Sequence, residues 1–211
     1  MANGGESREG ERITKVLEEV DVDQLAESIK EGMKALKEAE NTHETIDGPD
    51  DETKYILYKD RLPSDRYHEL ARTVTEVVLE VSPREVDSIG VEGIDDLLRD
   101  LDEDAVETLL ENGTSYVETE YNDGTIEGQC AATPNVVEAV LSLYFPGLMQ
   151  AYFLDSDGKA IAARFDDTLQ YYWLPETAYQ RLGEQLESDL FLAVVTDEEL
   201  EQIIEREHPD R

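Results

Sequence analysis

Apolar residues recur at three- and four-residue steps over most of the first half of the chain and at two-residue steps over parts of the second. The first period belongs to an amphipathic helix, the second to a half-buried strand. Residues 1–10 show neither period and are expected to form a disordered tail. Over 11–40, Ile13, Val16, Leu17 and Val20, then Val22, Leu25, Ile29, Met33 and Leu36, make the stripe of two amphipathic helices or one kinked helix. Residues 41–53 contain Gly48-Pro49-Asp50-Asp51 and no apolar face, which reads as an acidic linker.

Beyond it, Tyr55, Ile56, Leu57 and Tyr58 make a short β-type run, and Pro63-Ser64-Asp65 offers a helix start. Tyr67, Leu70, Ala71, Val74, Val77, Val78 and Val81 then form one stripe. Ser82-Pro83-Arg84-Glu85 has the pattern of a capping box with Pro at the first helical position, so a second helix is predicted there. Short helices are predicted over 93–99 and 103–111, the latter capped by Asp102. Asn122-Asp123-Gly124 between 116–121 and 125–130 predicts a β-hairpin, because Asp-Gly supplies positive φ at little cost. Thr133-Pro134 opens a helix. Period two then takes over in 151–154, 159–165 and 169–173, a three-stranded meander. A helix after Pro175, an apolar strand over 191–195 and a helix opened by the capping box Thr196-Asp197-Glu198-Glu199 complete the chain.

The fold class expected from this pattern is α+β in separate parts. A mostly helical part with one β-hairpin occupies 54–130, and a small antiparallel sheet, the meander plus one strand, occupies 131–211 under covering helices.

Charge changes the picture of where such a fold works. Asp and Glu number 52 against 18 Lys and Arg, a formal net of −34 over 211 residues. In dilute buffer that field opposes compaction. At about 1 M salt the Debye length shrinks to about 3 Å and the opposition largely vanishes. The acid is spread over the whole chain, and Arg (11) outnumbers Lys (7). A disordered acidic chain would share the charge, but 39% hydrophobic residues with ten Tyr, four Phe and one Trp can build a core. The composition resembles that of proteins from salt-in halophilic archaea, so a high-KCl cytoplasm of such a cell, or of one infected by its virus, is the expected setting. The opening residues lack a signal-peptide pattern, and no run of about 18 apolar residues occurs, so no membrane association is expected.

Candidate chemistry is sparse. Cys130 is the single cysteine, which excludes an internal disulfide and the Cys/His spacings of a structural zinc site, and at a strand end it reads as a small buried hydrophobe. The histidines are His43, His68 and His208, of which only His68 falls in a predicted helix, on its solvent side. Asp155-Ser156-Asp157-Gly158 imitates the start of a calcium loop, but Lys159 stands where an oxygen ligand is needed, and a hairpin turn accounts for it. No phosphate-cradling glycine pattern occurs. The sequence therefore predicts no cofactor, no metal site and no catalytic residue. Helices followed by a hairpin over 62–130 allow a winged helix, but its reading helix, 103–111, has no Lys or Arg to meet phosphates, which argues against nucleic acid as partner. Arg61, Arg66, Arg72 and Arg84 alternate with Asp60, Asp65, Glu69 and Glu76, an arrangement suited to ion pairing.

The aromatic meander remains. Tyr152, Phe153, Tyr171, Tyr172 and Trp173 put large side chains on both faces of the predicted sheet. Either the helices over 133–144 and 176–187 cover one face each, or one face stays open as an interaction surface. The second arrangement predicts a non-catalytic adaptor, regulatory or structural protein that binds a protein partner or a copy of itself. The alternatives are a small-molecule sensor or enzyme with an aromatic pocket lined by Tyr152, Tyr171, Tyr172 and Trp173, and a winged-helix regulator.

Overall fold

The computed structural model describes residues 46–207 apart from 119–123, 145–146 and 166–168. The chain divides into two units, 1–45 and 46–211. The tail and the helices expected over 11–40 lie outside the described residues, as do His43 and His208.

Strands occupy all three segments read as the meander, although β6 is buried on both faces and does not alternate, and one strand appears where a helix was expected. The strands are β1 (Thr53–Leu57), β2 (Ser88–Ile94), β3 (Thr114–Val117), β4 (Thr125–Ala131), β5 (Leu148–Leu154), β6 (Ala160–Phe165), β7 (Leu169–Leu174) and β8 (Val194–Thr196). The α-helices are α1 (Tyr67–Val81), α2 (Asp95–Glu111), α3 (Pro134–Leu143), α4 (Glu176–Gln185), α5 (Ser188–Phe191) and α6 (Asp197–Glu207).

All eight strands join one antiparallel sheet in the order β3-β4-β2-β5-β6-β7-β1-β8. This corrects the expected fold class. The helical part with a lone hairpin and the small separate sheet do not exist as such; hairpin and meander are halves of one sheet, joined by β2. The capping-box pattern at Ser82-Pro83-Arg84-Glu85 starts no helix. Ser82 Oγ accepts from Arg84 N at 3.1 Å, the bond an N-cap makes, but no helix follows it. The residues that would have continued the helix include Gly90 and Gly93, each worth about 1 kcal/mol against helix, among β-branched residues that alternate in burial from Ser88 to Ile94. Pairing with both β4 and β5 decides the matter. The apolar strand expected over 191–195 is likewise replaced by α5 and the shorter β8.

Several local readings hold. The α1 stripe is buried through Tyr67, Ala71, Val74, Val78 and Val81. Asp102 breaks α2 with non-helical backbone (φ −159°, ψ 93°) and accepts Ala105 N at 3.1 Å, so the helix is two short helices meeting at an N-cap. Thr133 caps α3 through Val136 N. Thr196 and Glu199 exchange capping-box bonds: Glu199 Oε2 accepts from Thr196 N at 2.9 Å, and Thr196 Oγ1 accepts from Glu199 N at 3.2 Å. β3 and β4 form a hairpin, but not with the predicted bounds: β3 ends at Val117, which pairs with Thr125, so the connection is 118–124 and not the tight Asn122-Asp123-Gly124 turn between 116–121 and 125–130; residues 119–123 lie outside the described residues.

The larger core cluster lies on one face of the sheet. Directly paired residues Cys130, Ile89, Phe153, Ala162, Tyr172 and Tyr55 make one row across β4, β2, β5, β6, β7 and β1. Buried side chains of α1, α2, α3, α4 and α5 pack against this inner face in one cluster.

Candidate functional site

The row one residue further along each strand faces the other way. It runs Gln129, Gly90, Tyr152, Ala163, Tyr171, Ile56 and Val195. Gly90 lets the Tyr152 ring lie close, since a Cβ there would stand 3.0 Å from its Cδ2, tighter than ordinary contact. The neighbouring row adds Gln150, Phe165 and Leu169. Tyr152, Phe165, Tyr171 and Trp173 form a continuous ladder of ring contacts with centroids 5.4, 5.7 and 6.2 Å apart, inside the range of favourable aromatic pairs. The ladder packs with Ala160, Ala163, Leu154 and Ile46, and no described helix contributes to this cluster. Tyr152, Phe165 and Tyr171 are half-buried, and Leu169 is 43% exposed.

Trp173 differs from its neighbours on this face because the lead-in to β1 covers it. Asp47 O accepts from Ala160 N at 3.1 Å, and Gly48 lies so close to the indole that a Cβ there would fall 2.0 Å from Cδ1. Residues Ile46 to Glu52, read as linker, are thus packed structure. Arg84 ties them down: its guanidinium donates to Glu52, to Asp155 Oδ2 at 2.8 Å, and to the carbonyls of Lys159, Ala160 and Trp173. Burial raises the Asp155 pKa, but the bond from Arg84 and the backbone N–H groups of Lys159 and Asp157 outweigh it and hold the carboxyl below its ordinary value. That carboxylate is the first residue of the apparent calcium loop. Its Oδ1 accepts Asp157 N and Lys159 N, both at 2.9 Å, in a turn closed by Gly158 at φ +73°.

The five sequence-predicted aromatics therefore separate. Tyr152, Tyr171 and Trp173 share the outer face, while Phe153 and Tyr172 are fully buried on the inner one. The arrangement with α3 on one face and α4 on the other is corrected, since both helices pack on the inner face. A single pocket lined by Tyr152, Tyr171, Tyr172 and Trp173 is excluded by the same geometry. Phe165, Leu169 and Lys54 belong to the outer face as well; Lys54 Nζ lies 5.1 Å from the Tyr171 ring centroid and pairs with Asp197 at 2.8 Å. Their signal was the alternation within each strand, which assigns faces only once strand partners are known.

Other candidates take structural roles. Cys130 is buried, 3.5 Å from Ile89 O, and burial pushes its thiol up in pKa, away from the reactive thiolate. His68 is exposed on α1. Arg66 and Arg72 pair with Glu69 and Glu76 on the same helix, as their spacing suggested, whereas Arg61 donates to Leu192 O at 2.7 Å. Among the described residues, no helix is long and apolar enough to cross a membrane.

The inner face carries a polar group that no pattern announced. Arg164 and Gln170, paired across β6 and β7, are fully buried. The guanidinium donates to the carbonyls of Tyr144 and Leu148 and lies over the Tyr144 ring, tying the end of α3 to the start of β5. Tyr144 donates to Gln170 Oε1 at 2.8 Å, and the hydroxyls of Tyr172 and Thr75 meet at 3.1 Å. Burial raises the Tyr144 pKa to about 12 and that of Tyr172 well above its ordinary value.

Compared with known proteins, the chain matches no family model, no curated protein and no solved structure.

Proposed function

We propose that this is a non-catalytic interaction protein whose working surface is the outer face of the sheet over β5 to β7, where no described helix joins the aromatic cluster, centred on Tyr152, Phe165, Leu169 and Tyr171. The supporting observation is the asymmetry between the two faces: five helices pack on the inner one, while a ladder of half-buried rings and an exposed leucine are left on the other. Aromatic side chains with small neighbours such as Gly90 and Ala163 offer large apolar area at little conformational cost, as in protein interfaces. Apolar contact also suits a highly charged molecule in concentrated salt, where ion pairs are screened but the hydrophobic effect is strengthened or kept. The setting proposed is a KCl-rich cytoplasm, supported by the net charge of −34.

The experiment is affinity capture in multimolar KCl with the parent and a Phe165→Ser/Tyr171→Ser variant, each checked for fold by circular dichroism. The expected result is a stoichiometric protein retained by the parent and lost from the folded variant. Identical capture by both sinks the assignment of the face. A small metabolite that shifts Trp173 fluorescence, with no protein captured, would replace it with a ligand-binding role.

A further inference from the structure

Trp173 is the buried ring of the outer-face ladder, at 4% exposure, and residues 46–52 lie over it as a strap. Apart from Pro49, Ile46 is the strap's only apolar side chain, and it packs against the cluster of Ala160, Ala163 and Trp173. Gly48 lies against the indole, and Asp47 O accepts from Ala160 N at 3.1 Å. The bonds from Gly48 N to Asp47 Oδ1 and from Glu52 N to Pro49 O stay within the strap and travel with it. It carries Asp47, Asp50, Asp51 and Glu52 and no base, so the field of a chain with net charge −34 opposes its closure. Its charged hold is Arg84, whose Nη2 donates to Glu52 Oε2 at 2.6 Å. The same guanidinium also has acceptors on the sheet side: Asp155 Oδ2 and Ala160 O, both at 2.8 Å, and Lys159 O and Trp173 O, both at 3.3 Å. Releasing Glu52 therefore strands no buried cation, and the Glu52 carboxylate, 8% exposed when bound, passes into water. Where the strap ends, Thr53 pairs with Leu174 and Tyr55 with both Tyr172 and Thr196, so the chain is anchored from there on.

We infer that residues 46–52 are a displaceable strap, which swings off as a unit about Thr53 while the sheet stays folded and uncovers Trp173 as the fourth ring of the outer-face ladder. Its role rests on the reading of that face as the working surface. The closed strap is then an autoinhibitory contact, because it occupies the indole that a partner's side chain would cover. A partner that uses Trp173 binds the open form alone, and its apparent affinity is reduced by the fraction of molecules that are open.

Amide exchange on the full chain in multimolar KCl, at graded guanidinium below the unfolding transition, tests the opening without any partner. The Ala160 amide is closed by Asp47 O, whereas Ala162 lies in the part of β6 that is paired with strands on both sides. The expected result is exchange of Ala160 at least about tenfold faster than that of the β6 interior and independent of denaturant, the signature of a local opening that exposes little surface. Glu52→Gln replaces the charged partner of Arg84 by a neutral one. It should speed Ala160 exchange about tenfold and increase acrylamide quenching of Trp173, with an unchanged circular dichroism spectrum. Ala160 exchange that shares the denaturant dependence of the β6 interior, or quenching that Glu52→Gln leaves unchanged, overturns the inference. For the role, Glu52→Gln should bind the protein captured by the parent about tenfold more tightly, in proportion to its open fraction. Equal affinity overturns autoinhibition. Capture of no protein by either removes the autoinhibitory role together with the reading it rests on, while exchange and quenching still decide the opening.

Discussion

At the scale of single residues, close approach and burial explain more than charge does. Gly48 exists to let Trp173 lie against the backbone: a methyl at that position would sit 2.0 Å from Cδ1 and 2.7 Å from Cβ of the indole, too near its root for a rotamer change to relieve. Gly48→Ala should therefore cost about 1–3 kcal/mol by overpacking, and red-shift the emission of the chain's single tryptophan. An unshifted spectrum would mean that the lead-in does not cover Trp173 as described. Tyr144 and Tyr172 make a second prediction. Their pKa values are raised in the fold, to about 12 for Tyr144, while an unfolded tyrosine titrates near about 10. The fold holds them neutral, so their contribution to stability is complete below the unfolded value and is lost as pH rises through it toward the folded one. Tyrosinate absorbance should show these two ionising only as the protein unfolds in alkali. Titration of every tyrosine near its unfolded value, with the fold intact, would contradict the buried placement.

At the scale of elements, sequence periodicity located the meander, α1, the break at Asp102 and the capping box of α6, because each depends on residues adjacent in the chain. What it could not locate depends on distant partners. β2 lies between the helix start expected at Ser82-Pro83 and the helix expected over 93–99, and only its pairing with Gln129 and Tyr152 on either side of Gly90 makes it a strand. The burial of both faces of β6, from Ala160 to Arg164, likewise hid which aromatics of β5 and β7 point to the helices. Arg84 was read as one of a basic group suited to local pairing, yet its partners Glu52 and Asp155 lie 32 and 71 residues away. Its side chain and both carboxylates are largely buried, at 16%, 8% and 12% exposure. Removing one partner of such a cluster strands the others, so Arg84→Ala should cost about 3 kcal/mol in denaturant unfolding. Arg84→Lys should recover little of it, because an ammonium cannot serve so many acceptors in a fork. A loss below about 0.5 kcal/mol, the range of an exposed pair, would show that the cluster does not hold the lead-in.

At the scale of the whole molecule, charge and architecture act on different problems. The net charge of −34 opposes compaction without choosing a topology, and its legibility in the sequence is complete. The same abundance of carboxylates hides any single acidic group with a role, so the candidate face emerged from apolar residues alone. Melting temperature should rise steeply between about 0.1 M and about 1 M KCl, as the Debye length falls from about 10 Å to about 3 Å. A melting temperature that is flat or falling over that range would contradict the assignment to a salt-rich solvent. The functional account rests on another whole-molecule property, a sheet with one face sealed by helices and the other bearing a ladder of rings. Radical footprinting read by mass spectrometry, on purified protein and on the same protein added to an extract of the cells that make it in multimolar KCl, tests that division most directly. The account predicts that Tyr152, Phe165, Leu169 and Tyr171 are labelled in the purified protein and shielded in the extract, with Phe153 and Tyr172 unlabelled in both. Equal labelling of the outer-face residues in both samples would contradict it.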